Sequence, residues 1–175
     1  WHPSKNGDLK ATQVTKSSGK KVWWQCSNYP NHEWNTEIKS RSSGGGCPIC
    51  SGKKVLPGFN DLQSLEPEIA KEWHPSKNGD LKATQVTKSS HKKVWWQCSK
   101  YPDHEFEGII HHRTNGGGCP ICSGKNVLAG FNDINSVEPF LAREWHQTKN
   151  GKLHSTDVTR GSRQKVWWQC SKFSD

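Results

Sequence analysis

Val22-Trp23-Trp24-Gln25-Cys26-Ser27-Asn28-Tyr29-Pro30-Asn31-His32-Glu33-Trp34, answered beyond Gly44-Gly45-Gly46 by Cys47-Pro48-Ile49-Cys50, decides the fold of this chain. Three cysteines and one histidine stand in the pattern C-x5-H-x14-C-x2-C, and Cys98, His104, Cys119 and Cys122 repeat it with identical spacing. The whole unit recurs every 72 residues: Trp1, Trp73 and Trp145 open three copies, and Trp1–Cys26 differs from Trp73–Cys98 only at Gly19 against His91. The third copy reaches Cys170, one residue short of its histidine, which leaves an incomplete third set and accounts for seven cysteines without a free reactive thiol. The expectation is a tandem array of metal-built modules.

Composition says why a metal is needed. Leu, Ile, Val and Phe make 29 of 175 residues and the net charge is +9, a combination usual for disordered chains. Yet ten tryptophans recur at fixed positions, which points to a small aromatic core with a second source of stability. A structural zinc site supplies roughly 10–16 kcal/mol of apparent binding energy, which becomes folding energy where no site preexists. Disulfides are the competing reading. Three cysteines per unit cannot pair without a remainder, whereas three sulfurs and one imidazole complete a tetrahedral zinc shell, so two Zn2+ ions are expected. Thiolates reserved for metal argue for an intracellular, reducing compartment: cytoplasm, nucleus or virion. No apolar run approaches a membrane span and no signal-peptide pattern opens the chain. The absence of any methionine suggests that an N-terminal segment precedes Trp1.

Locally, Lys20–Cys26 reads as a strand, Ser27–Asn31 as a turn and His32–Ile38 as the returning strand, so that Cys26 and His32 flank a hairpin turn. Cys47–Gly52 is a knuckle supplying the last two ligands. Between modules, Asn60–Leu62 and Pro67–Trp73 predict a short helical linker, with Pro67 in a first turn and Asp61 and Asp133 as caps. Leu65, Ile69 and Trp73 at i, i+4 and i+8, and likewise Val137, Leu141 and Trp145, predict one helical face ending in the Trp that packs on the next module. The segments drawn this way are 1–59 (first module), 60–131 (second module with its preceding linker helix) and 132–175 (linker helix and truncated third module).

These units resemble the treble-clef or zinc-ribbon repeats found, often in tandem, in bacterial proteins and large DNA viruses. The resemblance rests on Trp23-Trp24-Gln25-Cys26, His32-Glu33-Trp34, Cys47-Pro48-Ile49-Cys50 and Asn60-Asp61-Leu62 through Trp73-His74. It rests equally on Trp95-Trp96-Gln97-Cys98, His104-Glu105-Phe106, Cys119-Pro120-Ile121-Cys122 and Asn132-Asp133-Ile134 through Trp145-His146. The resemblance covers essentially the whole chain. Its Cys-to-His gap departs from the tighter turn such repeats lead one to expect. The fold class implied is a small metal-stabilised α+β module, a β-hairpin plus zinc knuckle with a short linker helix.

Function is less legible. A closed four-ligand set, with no catalytic triad, phosphate-cradling loop or acidic cluster, argues against an enzyme and against a small-molecule substrate. Basic residues recur once per module: Lys16, Lys20 and Lys21; Lys88, Lys92 and Lys93; Arg160, Arg163 and Lys165; with Arg41 and Arg113. A stripe of Lys20, Lys21, Arg41, Lys92, Lys93, Arg113, Arg163 and Lys165 is the leading candidate for binding DNA or RNA through phosphates. The alternative is a structural or protein-interaction array cementing a large assembly such as a virus particle, since each module pairs its lysines with an acid-rich linker. Most tryptophans are expected in the core. His2, His74 and His146 are expected to pack or hydrogen-bond rather than bind metal.

Overall fold

In the computed structural model, which describes residues 1–172, the aromatic strands pair as expected. In the first hairpin, β1 (Lys21–Gln25) runs antiparallel to β2 (Glu33–Glu37), with Trp24 opposite Trp34 and Val22 opposite Thr36. Alternation puts Val22, Trp34 and Cys26 inward and leaves Trp23 at the surface. In the second hairpin, β3 (Lys93–Gln97) pairs with β4 (Glu105–Ile109), and Trp96, opposite Phe106, is completely buried. Its indole Nε1–H donates to the Gly108 carbonyl at 3.0 Å, so burial leaves no polar atom stranded. Each hairpin runs straight into one turn of helix, α1 (Ile38–Ser42) or α4 (Ile110–Thr114), whose first residue is buried.

The linkers differ from the single amphipathic face expected. They hold two four-residue helices each: α2 (Leu62–Leu65) with α3 (Pro67–Ala70), and α5 (Ile134–Val137) with α6 (Pro139–Ala142). Glu66 (φ −135°, ψ 62°) breaks the first pair and Glu138 the second, in the same conformation. Both precede proline, whose ring disfavours the helical conformation in the residue before it. Leu65, Val137 and Leu141 therefore stand exposed, while Trp145 is buried. Trp73 lies beyond the helix, in a bridge to Trp96 with the rings edge to face at 5.6 Å.

Contacts divide the chain into two interleaved units: Trp1–Ala70 with Asp80–Ser90, and Lys71–Gly79 with the chain from His91 onward. The linker helices α2 and α3, drawn with the second module from the sequence, thus fall in the first unit. The reason is local. Leu62 is fully buried and its N–H donates to the Val86 carbonyl at 2.8 Å, so the strand-like segment around Val86 returns to the module it follows. The second unit contains a corresponding arrangement, with Ile134 donating to Val158 and with Ile134, Trp145 and Val158 forming a small core. Residues 173–175, the end of the third module drawn from the sequence, lie outside the described residues.

Asp61 and Asp133 are fully buried N-caps. Asp61 accepts from the Ser64 backbone N–H (3.0 Å), the Ser64 hydroxyl (2.7 Å) and the Gly58 N–H (2.6 Å), which together outweigh burial and hold its carboxyl below the ordinary range. Replacing Asp61 with Ala is expected to cost the metal-loaded first unit about 1–2 kcal/mol, at the upper end for caps because three donors lose one acceptor. Urea unfolding of the Asp61→Ala chain checks this, and an unchanged midpoint contradicts it.

Candidate metal centre

The hairpin and knuckle bring the predicted ligands together. Cys26 follows β1 and His32 precedes β2; the Cys26 N–H donates to the His32 carbonyl (3.0 Å) and the His32 N–H to the Tyr29 carbonyl (2.9 Å), so the five-residue gap closes as a compact turn. From the other side, α1 turns back through Gly45, whose N–H donates to the Ser40 carbonyl. A Cβ at Gly45 would lie 2.5 Å from that oxygen, and one at Gly117 would lie 2.6 Å from the His112 carbonyl. Only glycine permits this approach. The knuckle Cys47-Pro48-Ile49-Cys50 then closes on itself through Ser51 N–H to Cys47 O and Gly52 N–H to Ile49 O.

The donor atoms of Cys26, His32, Cys47 and Cys50 all lie within 4.8 Å of one another, as do those of Cys98, His104, Cys119 and Cys122. In the first cluster Cys26 Sγ and Cys50 Sγ are 3.7 Å apart, and His32 Nδ1 is 3.7 Å from Cys47 Sγ and 3.4 Å from Cys50 Sγ. In the second, Cys98 and Cys122 sulfurs are 3.7 Å apart, and His104 Nδ1 is 3.8 Å from Cys119 and 3.3 Å from Cys122. A tetrahedron with Zn–S of about 2.3 Å and Zn–N of about 2.0–2.1 Å has S···S edges of about 3.8 Å and S···N edges of about 3.6 Å. The donor set fits such an ion. The sulfur separations are far beyond the roughly 2.05 Å of a disulfide, and all seven cysteines are free.

Electrostatics point the same way. Burial raises the Cys26 thiol, but hydrogen bonds from the Asn28 and Tyr29 backbone and from the neighbouring cysteines outweigh it and hold the thiol below its ordinary value. Desolvation of its sulfur within the cluster, then the adjacent Cys47 and Cys26 sulfurs, push Cys50 up to about 12 although the residue stands at the surface. Cys98 and Cys122 show the same opposition. Three sulfurs this close resist ionising together unless a cation sits among them.

Each imidazole is held by aromatic rings. Buried His32 stacks on Tyr29 at 4.8 Å and meets Phe59 edge to face at 4.3 Å; His104 lies likewise against Tyr101 and Phe131. Among the described residues their Nε2 atoms have no hydrogen-bond partner, so the rings fix the imidazole where an acceptor more commonly does. The knuckle is pinned by Asn60, whose amide donates to the Ile49 and Lys54 carbonyls (2.8 and 3.0 Å) and accepts from Leu56 N–H (2.7 Å). Neither Phe59 nor this role of Asn60 was anticipated from the sequence; their recurrence as Phe131 and Asn132 was the available signal.

The model of a family described as "Probable Treble clef zinc finger domain" matches residues 1–53, 69–125 and 141–174. The chain belongs to this family. No curated protein matches it. The treble-clef modules here are thus a hairpin plus short helices around a Cys3His cluster, twice complete; Cys170 is exposed and joins no cluster among the described residues. Among those residues no helix is long and apolar enough to cross a membrane.

The basic residues scatter in role. Lys20, Lys21, Lys92, Lys93, Arg163 and Lys165 are exposed, with Lys93 paired to Glu107. Arg41 and Arg113, read as part of an exposed stripe, are instead turned into their modules. Arg41 lies over Trp24 and Trp34, and Arg113 lies over Trp96 and Phe106 and pairs with Glu72. A planar cation finds both aromatic faces and a carboxylate there, which solvent does not offer. His74 is buried, its Nε2 2.8 Å from Glu105 and its Nδ1 accepting from Ser76 and Lys77; His2 does the same with Glu33.

Replacing Cys119 with Ser is expected to abolish metal binding at the second cluster and leave one ion per chain in the first, since repeat modules couple mainly to their neighbours. Native mass spectrometry counts the ions; a chain that loses both, or keeps both, contradicts independent clusters.

Proposed function

We propose that this chain is a non-catalytic array in which each complete cluster holds one structural zinc ion, and that the array serves as a scaffold for protein contacts within a larger assembly. The observation that carries the metal role is the closed donor set: three sulfurs and one nitrogen at the corners of a zinc-sized tetrahedron leave no position for a substrate or activated water. A structural ion of that kind supports folding rather than reaction. Thiols kept for metal also favour a reducing compartment.

The scaffold role is supported by where the cations go. Lys5 pairs with Glu33, Lys77 with Glu105, Lys88 with Glu66, Lys93 with Glu107, Arg113 with Glu72 and Arg160 with Glu138. A surface that neutralises its own lysines offers fewer charges to phosphates. One observation favours the second reading, nucleic-acid binding. A lysine lies over the ring of the outward tryptophan in every copy, Lys5 with Trp23 (5.0 Å), Lys77 with Trp95 (4.7 Å) and Lys149 with Trp167 (5.3 Å), on a chain of net charge +9. Such pairs suit stacked bases and phosphates.

Fluorescence anisotropy with labelled DNA and RNA separates the two readings. The scaffold reading expects no saturable binding at physiological salt. Tight binding whose salt slope flattens by up to about four charges when Lys20, Lys21, Lys92 and Lys93 are all replaced by Ala would establish the second reading instead. Zinc itself is tested separately: two ions per chain are expected, with loss of tryptophan fluorescence structure on chelation. A fold that survives complete metal removal contradicts a structural role.

A further inference from the structure

We propose that Glu72 and Arg113 form a brace that retains the metal of the second cluster, a role that rests on the metal-binding reading above. Glu72 precedes the Trp that opens the repeat and has no place in the Cys3His motif. Its contacts nevertheless surround a ligand. The Glu72 carbonyl accepts from Gln97 N–H at 2.7 Å, immediately before Cys98. Its Oε1 accepts from the Ser99 hydroxyl (2.8 Å) and the Ser99 N–H (3.4 Å), immediately after Cys98. Its Oε2 pairs with the Arg113 guanidinium, whose other amino group donates to the Gly117 carbonyl, two residues before Cys119.

One carboxylate and one guanidinium therefore link the backbone around Cys98 to the backbone approaching Cys119. Both side chains are largely buried, with 14% and 11% of their surface exposed, and the guanidinium is packed over Trp96 and Phe106. A bond between a planar guanidinium and a carboxylate is directional as well as charged, so it fixes the separation of the two elements it joins. The pair also lines a cleft of about 370 Å³ that reaches Cys98, Cys119 and Cys122, an approach by which a chelator meets the thiolates. Holding two of the three sulfurs at their bonding separation slows the first step of metal loss, in which one ligand must swing away.

The other copies supply internal comparisons. In the third copy Glu144 repeats the first half of the brace: its carbonyl accepts from Gln169 N–H (2.6 Å) and its carboxylate from the Ser171 hydroxyl (2.7 Å) and N–H (3.3 Å). In the first copy Arg41 repeats the other half, donating to the Gly45 carbonyl and lying over Trp24 and Trp34.

Zinc-loaded chains carrying Cys47→Ser or Cys119→Ser isolate the second and the first cluster, and excess chromophoric chelator reads the release rate of each. Glu72→Gln, which keeps the Ser99 acceptor but loses the charge facing Arg113, should accelerate release from the second cluster by about tenfold to a hundredfold, the range by which losing a group that orients metal ligands weakens a site. Release from the first cluster should not change, which separates loss of the brace from general damage to the fold. A second cluster indifferent to Glu72→Gln, or equal acceleration of both clusters, overturns the brace while leaving the metal sites intact. A chain that takes up no zinc at the outset overturns the metal sites and the brace together.

Discussion

Four donor atoms from three separated segments must meet at one point, and most of the structure can be derived from that requirement. The chain has too little aliphatic material to build a conventional core around so many turns. What it has is a two-stranded hairpin with Trp24 and Trp34 on its inner face, and a knuckle that brings two more sulfurs to the same point. Three thiols whose sulfurs lie within 4.8 Å of one another resist losing their protons together unless a cation sits among them.

Around this centre the residues divide the work by reach. The glycine ahead of the knuckle allows backbone to touch backbone; Asn60 ties the knuckle to the linker; Tyr29 and Phe59 fix the imidazole plane; the linker aspartates cap helices too short to persist alone. The interleaving of the units follows from the same economy. Small modules that lack internal apolar surface borrow it from the following stretch of chain, so Val86 and Ala83 complete the unit they follow, and Trp73 joins the hairpin ahead of it. Such borrowing makes the repeat visible in sequence and the unit visible in space run out of step.

Ligands, hairpin and caps were legible because each depends on a short, directional pattern: cysteine spacing, a run of β-favouring residues beside a turn cluster, an Asp three residues before a Ser. The linker's apolar spacing at i, i+4 and i+8 spans Pro67, which suits a first turn but also turns Glu66 out of the helical conformation and so divides the face in two. The surroundings of Arg41 and Arg113 are hidden for a different reason. Charge in a sequence says nothing about whether a cation meets water or an aromatic face, and only the fold put two rings and, for Arg113, a carboxylate around the guanidinium. Phe59 recurs as Phe131, but recurrence alone does not say that the ring meets the imidazole.

The chain is a tandem treble-clef array with two Cys3His donor sets positioned for metal. All of it rests on what occupies the two clusters. X-ray absorption at the zinc edge of protein isolated under reducing conditions tests this most directly. The expected first shell is three sulfurs at about 2.3 Å and one nitrogen at about 2.0–2.1 Å. A shell containing water or carboxylate oxygen, or no zinc at the edge at all, would contradict a closed structural Cys3His site.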